Sequence, residues 1–275
     1  MKELSTLSNK PVIRPMTIED WNTFHTFDKK IFPDDSMLED WFKKRLDRDG
    51  FFALEINGQI IGQLILALFG ENEGHLGRIG VNKNYQGEGY GNLLMKHAIE
   101  WFRKQKVIKQ IHLYTQDHNT VAQNLYKKLG FTISEITWHY FIPFDSLSPL
   151  NIYTCQEILE NEIEPVGEKY TDTLPAAQIK RFLTHDEFHV LTLKNSNEDI
   201  VGACRFTPSF PGCFPFVLDK IDAFDDFLVG LKQYSLPDYD YIRVTYTAYP
   251  KLAQLCEERK YKLHHRLFKM TLALD

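Results

Sequence analysis

A glycine-rich turn between an apolar strand and an amphipathic helix constrains this chain more than any other stretch. The turn covers residues 86–91, the strand before it ends at Val81, and the helix after it begins about Tyr90. Glycine lacks the Cβ atom that would hinder a tight curl, so the backbone amides of the turn can point inward. The start of a helix adds unpaired N–H groups and the positive end of its dipole. The pattern therefore predicts an anion site suited to a ligand that carries phosphate.

Two common phosphate-binding motifs do not fit this turn. A Walker loop continues with Gly-Lys-Ser or Gly-Lys-Thr, which is missing from this sequence. A dinucleotide-binding turn has a different glycine spacing and an acidic residue about 20 residues later, at the end of the next strand. On these residues alone, a plain surface turn remains the alternative.

A second segment, residues 113–131, favours a ligand site over a plain turn. It has the pattern of a strand, an asparagine, a helix with an alanine and a Leu-Tyr pair, and a closing Gly-Phe. Together the two segments resemble the GNAT superfamily of acyl-CoA-dependent N-acetyltransferases. The matching residues are Gln86, Gly89 and Gly91 in the first segment and Asn119, Ala122, Leu125, Tyr126, Gly130 and Phe131 in the second.

The resemblance implies acetyl-CoA as the acyl donor and a primary amine as the acceptor. It also implies that Ile79, Gly80 and Val81 pair with the cofactor arm and that the Val81 amide polarises the thioester carbonyl. Tyr126 would act as general acid to the departing thiolate, and Asn119 would hydrogen-bond the cofactor arm. The residues expected to hold the pyrophosphate are Gln86, Gly87, Glu88, Gly89, Tyr90, Gly91 and Asn92.

The general base is less well defined by the sequence. An alkyl amine has a pKa of about 10, so about one molecule in a thousand is neutral at pH 7 and a base assists the reaction. His75 begins the strand that ends at Val81, and an imidazole with a pKa of about 6.5 could take the proton directly or through water. Glu71 and Glu73 are alternatives, and a role for His75 as an ordinary strand residue stays open.

The first half is predicted to have the element order β-α-α-β-β-β-α-β-α-β. This order predicts an α/β fold of the mixed α+β type, with helices on both faces of a mixed sheet, and it matches the GNAT order. Asn57-Gly58 between two apolar runs predicts a β-hairpin. The second helix is expected to begin at Ser36 and to bury Leu38, Trp41, Phe42 and Leu46.

The second half carries a weaker copy of the same order. A cluster of turn residues predicts a boundary between a catalytic GNAT domain at residues 1–145 and a second GNAT-like domain at residues 150–275. Where the first copy has its glycine turn, the second has Leu218-Asp-Lys-Ile-Asp-Ala-Phe, whose acidic groups would repel phosphate. Cys256 takes the place of Tyr126. We therefore expect a degenerate copy without a cofactor site, with an unrelated α+β domain as the alternative.

Composition and charge narrow the function classes further. The 275 residues are 43% hydrophobic and 25% charged, which is ordinary for a globular protein. The net charge of -5 lies wholly beyond residue 145, because residues 1–145 hold 18 basic and 18 acidic side chains. This distribution argues against nucleic-acid binding. No apolar run reaches the length of a membrane span and the N-terminus lacks a secretory core, so we expect no membrane contact and a cytoplasmic location.

The cysteine and histidine spacings favour no metal site. The four cysteines all lie in the second half without C-x-x-C spacing, and we expect buried free thiols. His185 and His189 are four residues apart, like a zinc pair, but the sequence from Phe188 onward is predicted to form a strand.

The leading hypothesis is therefore an acetyl-CoA-dependent N-acetyltransferase. A non-catalytic acyl-CoA-binding regulatory module and a protein-interaction scaffold are the rival classes. The acceptor, the acyl length and the oligomeric state are not defined by the sequence.

Overall fold

A computed structural model describes residues 10–33, 36–69, 72–209 and 211–274. The chain forms two compact units, of which the first contains Met1–Ser134 with Phe268–Asp275 and the second contains Glu135–Leu267. Within the described ranges, no helix has the length and apolar character needed to cross a membrane.

The two halves of the chain have the same order of elements, as predicted. The elements of the first half are β1 (Val12–Pro15), α1 (Trp21–Ile31), α2 (Glu39–Leu46), β2 (Phe51–Ile56), β3 (Gln59–Phe69), β4 (Glu73–Val81), α3 (Tyr90–Lys104), β5 (Gln110–Gln116), α4 (Thr120–Lys128) and β6 (Thr132–Pro143). Those of the second half are β7 (Thr154–Glu157), α5 (Ile163–Lys169), α6 (Ala176–Phe182), β8 (His189–Lys194), β9 (Ile200–Thr207), β10 (Gly212–Leu218), α7 (Phe224–Lys232), β11 (Tyr241–Thr247), α8 (Pro250–Glu258) and β12 (Lys262–Ala273).

The first unit is built on a mixed sheet with the strand order β1-β2-β3-β4-β5-β12. Strands β1 to β4 pair antiparallel, and β4 pairs with β5 in parallel. The predicted hairpin is confirmed, because Asn57 and Gly58 join β2 to β3 with φ angles of 52° and 77°. Helices α3 and α4 pack on the sheet through one apolar cluster, and α1 and α2 pack through another. This arrangement confirms the mixed α/β fold.

The second unit repeats this plan with the strand order β6-β11-β10-β9-β8-β7. Its main core surrounds α7, where Phe224, Phe227 and Leu228 are fully buried. Helices α5 and α6 pack through a separate cluster that includes Val166 and Ile179. The four cysteines are buried and free, as expected from their spacing.

The last strand of each half contributes to the unit built mainly from the other half. Strand β6 follows α4, yet it pairs antiparallel with β11 from Thr137 opposite Thr247 to Pro143 opposite Tyr241. Strand β12 follows α8, yet its residues from Phe268 onward belong to the first unit, where β12 lies beside β5. The compact units therefore differ from the predicted domains: the boundary falls after Ser134 rather than after residue 145, and residues 268–275 join the first unit.

The start of the second helix was predicted wrongly. Helix α2 begins at Glu39 rather than Ser36, and Leu38 and Trp41 are each 65% exposed. Phe42 alone is fully buried from this stretch. Helix α2 has only eight residues, and it buries fewer apolar side chains than the apolar pattern indicated.

The strand exchange predicts that a residue near the C-terminus stabilises the first unit. Met270 is fully buried in the apolar cluster of α3 and β5. Met270→Ala should lower the free energy of unfolding by about 2–5 kcal/mol, because it leaves a cavity in that cluster. Denaturant unfolding would measure the loss, and hydrogen exchange should locate it in α3 and β5.

Leu263→Ala provides the control, because Leu263 lies on the same strand but is 42% exposed. It should change stability little. If Met270→Ala loosened only β10 and β11, the assignment of residues 268–275 to the first unit would be wrong.

Candidate active site

Strand β4 loses one of its two neighbours halfway along its length. It pairs with β5 only from Glu73 to Leu76, whereas its pairing with β3 continues to Val81. The register with β3 shifts at Gly77, where β4 has one residue more than its partner, as in a β-bulge. From Gly77 to Val81, the β5 side of β4 is therefore an edge without a partner strand among the described residues, and we call this segment the open edge.

The backbone groups of the open edge point away from β3 at alternate residues. The Asn82 amide donates to the Ile61 carbonyl at 2.8 Å, which makes that pair a hydrogen-bonded one in the antiparallel ladder. Hydrogen-bonded and non-bonded pairs alternate, so Val81 and Ile79 direct their amides and carbonyls to the open side. The Val81 carbonyl indeed accepts from Gln86 Nε2 at 2.9 Å rather than from β3. An extended ligand with amide groups could pair with this edge.

The glycine-rich turn begins directly after this strand end. Gly87 and Gly89 have φ angles of +85° and +89°, in the left-handed region, and Gly89 is the N-cap of α3. Within the described part of the chain, the backbone N–H groups from Gly87 to Asn92 have no hydrogen-bond acceptor. They lie at the positive end of the dipole of a 15-residue helix. The turn therefore has the hydrogen-bond donors and the positive electrostatic potential that favour a bound anion.

Side chains add little charge to the turn. Glu88 is exposed, and its charge adds to desolvation in raising the pKa of the Tyr90 hydroxyl. Lys83, also exposed, precedes the turn. A Cβ atom on Gly91 would come within 3.3 Å of Leu125, so this glycine lets α3 approach α4 closely. The attraction for an anion therefore comes chiefly from the backbone.

Tyr126 lies on the inner face of α4, within the core of the first unit. It is 6% exposed and packs on Phe131, with 6.1 Å between the ring centroids. Burial raises the pKa of its hydroxyl to about 12. Its hydroxyl makes no hydrogen bond to any residue that the structure describes, so the proton is retained at neutral pH and available for donation.

Asn119 begins α4 and has a clear structural role. Its side-chain oxygen accepts from the backbone amide of Ala122 at 3.1 Å, as an N-cap does. The cap uses the oxygen and leaves the amide NH₂ group for another contact. The predicted contact with a cofactor arm stays a prediction.

His75 lies on β4 before the bulge, and an added Cβ at Gly77, the first residue of the open edge, would come within 3.4 Å of its Nε2. It is six residues before Val81, or about 20 Å along an extended strand. Its ring is 4.7 Å from that of His112 on β5, and burial lowers the pKa of both. Glu73 Oε2 lies 3.5 Å from His112 Nδ1, while Glu71 is outside the described residues. A proton released at Val81, the far end of the open edge, would reach His75 only through water.

The sequence interpretation missed a buried carboxylate beside the open edge. Asp28 on α1 is fully buried and bonded to Arg78, the first residue of β4 after the bulge. A signal was present, because Asp28 interrupts the apolar face formed by Phe24, Phe27 and Ile31. A charge on such a face is rare unless it is paired. In the connection that follows α1, Asp34 and Asp35 lie outside the described residues.

Two surface cavities in the described part of the chain include no residue of the turn at residues 86–91. One of about 400 Å³ is lined by residues that include Phe52, His97 and Trp101. The other, of about 350 Å³, is lined by residues that include Thr26, Lys30 and Asn82. The candidate site is formed by backbone groups, because an edge strand and a helix start present donors without a deep cavity.

The second unit fills the equivalent helix start with its own carboxylates. Asp226 in the first turn of α7 is 5% exposed and accepts from the backbone amides of Asn151, Ile152 and Tyr153 at 3.0–3.2 Å. Asp225 accepts from the amide of Ser148 and pairs with Arg259. These carboxylates occupy the region of positive potential that the first unit leaves open.

The residues equivalent to Tyr126 and Asn119 have also changed. Cys256 is buried and accepts from the hydroxyl of Tyr246 at 3.6 Å. Tyr249 precedes α8 without a capping side-chain bond. The His185 and His189 pair does not share a helix, because His189 begins β8 and bonds Glu157. In the described ranges, no group of three or more potential ligands could hold a metal ion.

Comparison with known proteins agrees with this geometry. Residues 14–131 match the sequence model of the Acetyltransferase (GNAT) family. The chain contains a GNAT-family domain. That domain holds the open edge, the turn at residues 86–91 and Tyr126.

Curated relatives are similar over part of their length. An uncharacterized N-acetyltransferase of Methanocaldococcus jannaschii is 31% identical over 102 residues, which are 35% of this chain and 44% of the relative. A mycothiol acetyltransferase of Amycolatopsis mediterranei is 32% identical over 108 residues, which are 36% of this chain and 34% of the relative. This chain thus spans less than half the length of either relative.

Solved structures extend the likeness to the whole fold. A GCN5-related N-acetyltransferase from Sphaerobacter thermophilus superposes with a TM-score of 0.74 at 14% identity, over 98% of this chain and 97% of that one. A tandem GNAT protein from the clavulanic acid biosynthesis pathway has a TM-score of 0.64 at 15% identity, over 96% and 98% of the two chains. At these identities the likeness concerns the fold, which is GNAT-like in both halves.

Protonation of His112 should destabilise the protein in acid. Burial, then His75 and Lys269, lower the pKa of His112 to about 3. In the unfolded chain His112 binds a proton at about pH 6.5, whereas in the folded chain it binds one only at about pH 3. The free energy of unfolding therefore decreases as pH falls from about 6.5 towards 3. The loss of unfolding free energy between pH 7 and pH 5 should be smaller in His112→Asn than in the wild type.

His118→Asn is the matched control, because the side chain of His118 is 75% exposed. It should show the same pH dependence as the wild type. Equal losses in all three proteins would mean that His112 is not buried in its neutral form.

Proposed function

We propose that the first unit is an acetyl-CoA-dependent N-acetyltransferase that acts on a primary amine. The observation that carries this proposal is the juxtaposition of the open edge with the amide-lined turn at residues 86–91. An extended ligand that ends in a diphosphate could pair its amide groups with the open edge and place its diphosphate at the turn. The family match and the acetyltransferases among its relatives support the same reaction.

The residues present fit this donor. Acetyl-CoA, when bound, supplies a thioester carbonyl as the electrophile. The amides from Gly87 to Asn92 would receive the diphosphate, with the N-terminus of α3 behind them. Ile79 and Val81 would pair with the amide groups of the arm, as an added strand does, and Gly80 completes this segment. The Val81 amide would orient and polarise the reacting carbonyl.

Tyr126 would donate a hydrogen bond to the departing sulfur. A pKa of about 12 keeps the hydroxyl protonated at any pH at which the enzyme works. A thiol has a pKa of about 8.5, so complete transfer of this proton to a thiolate is uphill. We therefore infer that Tyr126 stabilises the leaving group in the transition state, and that the proton lost by the amine finally neutralises the sulfur.

His75 would serve as the base through water. Its lowered pKa means that the imidazole is neutral at pH 7 and able to accept a proton. Its Nδ1 is buried and has no hydrogen-bond partner among the described residues. Asn119 would use its free amide group on the cofactor arm.

The second unit is proposed to lack a coenzyme A site. A diphosphate at the start of α7 would meet Asp225 and Asp226, which already accept backbone amides there. Like charges in a buried position repel strongly. One active site per chain follows, with residues 150–275 as the degenerate copy.

Removal of the Tyr126 hydroxyl should slow the chemical step. Tyr126→Phe should lower kcat by about 10²-fold, the usual scale of one proton-donating group, and leave the Kd for acetyl-CoA within about twofold. Thiol release with a panel of primary amines and calorimetry with acetyl-CoA would measure the two quantities.

Tyr140→Phe is the control, because Tyr140 is a buried tyrosine of the second unit. It should retain wild-type turnover. An unchanged kcat in Tyr126→Phe would refute the role of Tyr126 in stabilising the leaving group. Binding of acetyl-CoA without acetylation of any amine would favour the non-catalytic acyl-CoA-binding module.

A side chain at Gly89 should weaken binding of acetyl-CoA. The φ angle of +89° is strained for any L-residue by about 1–2 kcal/mol, so Gly89→Ala should uncurl the turn. Calorimetry should show a Kd at least about tenfold higher.

Gly58→Ala controls for the strain itself. Gly58 has a φ angle of +77° in the β2–β3 hairpin, and an added Cβ would meet nothing there, as at Gly89. Both variants should lose similar stability, but only Gly89→Ala should lose affinity. Equal affinities would place the diphosphate elsewhere.

A further inference from the structure

Asp28 joins three elements of the first unit through one buried carboxylate. Its oxygens accept from the backbone amide of Met37 at 2.7 Å, from Gln63 Nε2 at 2.8 Å, and from Arg78 Nε and Nη2 at 3.2 and 3.1 Å. The residue is fully buried, and the Arg78 side chain is 13% exposed. The end of α1, strands β3 and β4, and the segment before α2 thus meet at this side chain.

These contacts lie directly beside the open edge of β4. Arg78 is the first residue after the bulge, and its guanidinium stacks 4.0 Å from the ring centroid of Phe32. On the same strand, a Cβ atom at Gly80 would come within 2.9 Å of Ile31 and 3.2 Å of the Phe32 ring. The first residue after α1 therefore packs against the backbone between Ile79 and Val81.

A charged pair is an unusual way to fill such a position. Apolar side chains of similar volume usually stabilise a core as well as a buried ion pair does. A carboxylate that accepts hydrogen bonds from several donors differs from an apolar side chain in one respect, because it fixes the positions of all these donors at once. Here the partners include the amide of Met37, so the position of the α1–α2 connection is tied to that of β4.

We propose that Asp28 is a positioning residue for the acceptor side of the transferase site. Through Arg78 and the Met37 amide, it holds the α1–α2 connection against β4. Phe32 then forms an aromatic wall beside Ile79 and Val81, with the two opposite charges paired beneath the ring. The amine acceptor contacts this wall. The inference rests on the proposed N-acetyltransferase function and names the residues that set its acceptor side.

Asp28→Asn tests this role with almost unchanged shape. The variant removes the negative charge that pairs with Arg78, so the α1–α2 connection should loosen. We expect the Met37 amide to exchange with solvent about tenfold faster and the KM for the amine to rise about tenfold. The Kd for acetyl-CoA should stay within about twofold, since the turn and open edge keep their own contacts. The probe amine is the one that gives the fastest thiol release in the panel.

Two further variants make the result decisive. Asp20→Asn removes a carboxylate of the same unit that pairs with Arg14 rather than with β4, and it should leave the amine KM unchanged. Should Asp28→Asn fail to fold, Asp28→Asn with Arg78→Gln removes both charges of the pair and takes its place. It should still raise the amine KM, because glutamine cannot replace the guanidinium beneath Phe32.

The outcomes separate this inference from the function on which it rests. An unchanged amine KM in a folded variant, or an equal weakening of acetyl-CoA binding, overturns the positioning role while the transferase function stands. If the wild type acetylates no amine in the panel, the proposed function fails and the positioning role falls with it. Faster exchange at Met37 together with a selective rise in the amine KM supports both.

Discussion

The unpaired edge of β4 is the constraint on which the rest of the first unit depends. A strand normally satisfies its backbone groups on both sides, and an edge with free amides invites another strand. Past Leu76, β4 keeps β3 and loses β5. The bulge at Gly77, the turn at residues 86–91 and the buried Asp28 all lie around this segment. Their common effect is to hold an open edge in place without a protein partner.

The two units show how the same helix start can be used in opposite ways. At the start of α3 the chain supplies glycines and leaves backbone amides without acceptors. At the start of α7 it supplies Asp225 and Asp226, which accept amides from residues 148–153. Negative charge is favourable at the positive end of a helix dipole. In the proposed function the first helix start takes an anion from outside, whereas the second carries its own carboxylates and is thereby stabilised without a ligand.

Much of the fold and part of the site could be predicted from local patterns. The repeated element order, the hairpin at Asn57-Gly58 and the curl that ends in α3 are local, because each depends on a few neighbouring residues and their periodicity. The buried role of Asp28 was within reach, since a charge on an apolar helix face requires a partner. Its identity as Arg78 was not, because the pair is 50 residues apart and follows from the packing of α1 on β4.

The sequence by itself determined two GNAT-like halves, one with a glycine-rich turn and Tyr126 and one without them. Local propensity and side-chain chemistry are sufficient for these features. Only the tertiary structure decided that β6 pairs within the second unit and that the end of β12 belongs to the first. It likewise decided that the pairing of β4 with β5 ends at Leu76. It also decided that Trp41 stays exposed while Met270 enters the first core. Strand pairing depends on which edge is available in three dimensions, and alternating hydrophobicity is the same whichever neighbour a strand finds.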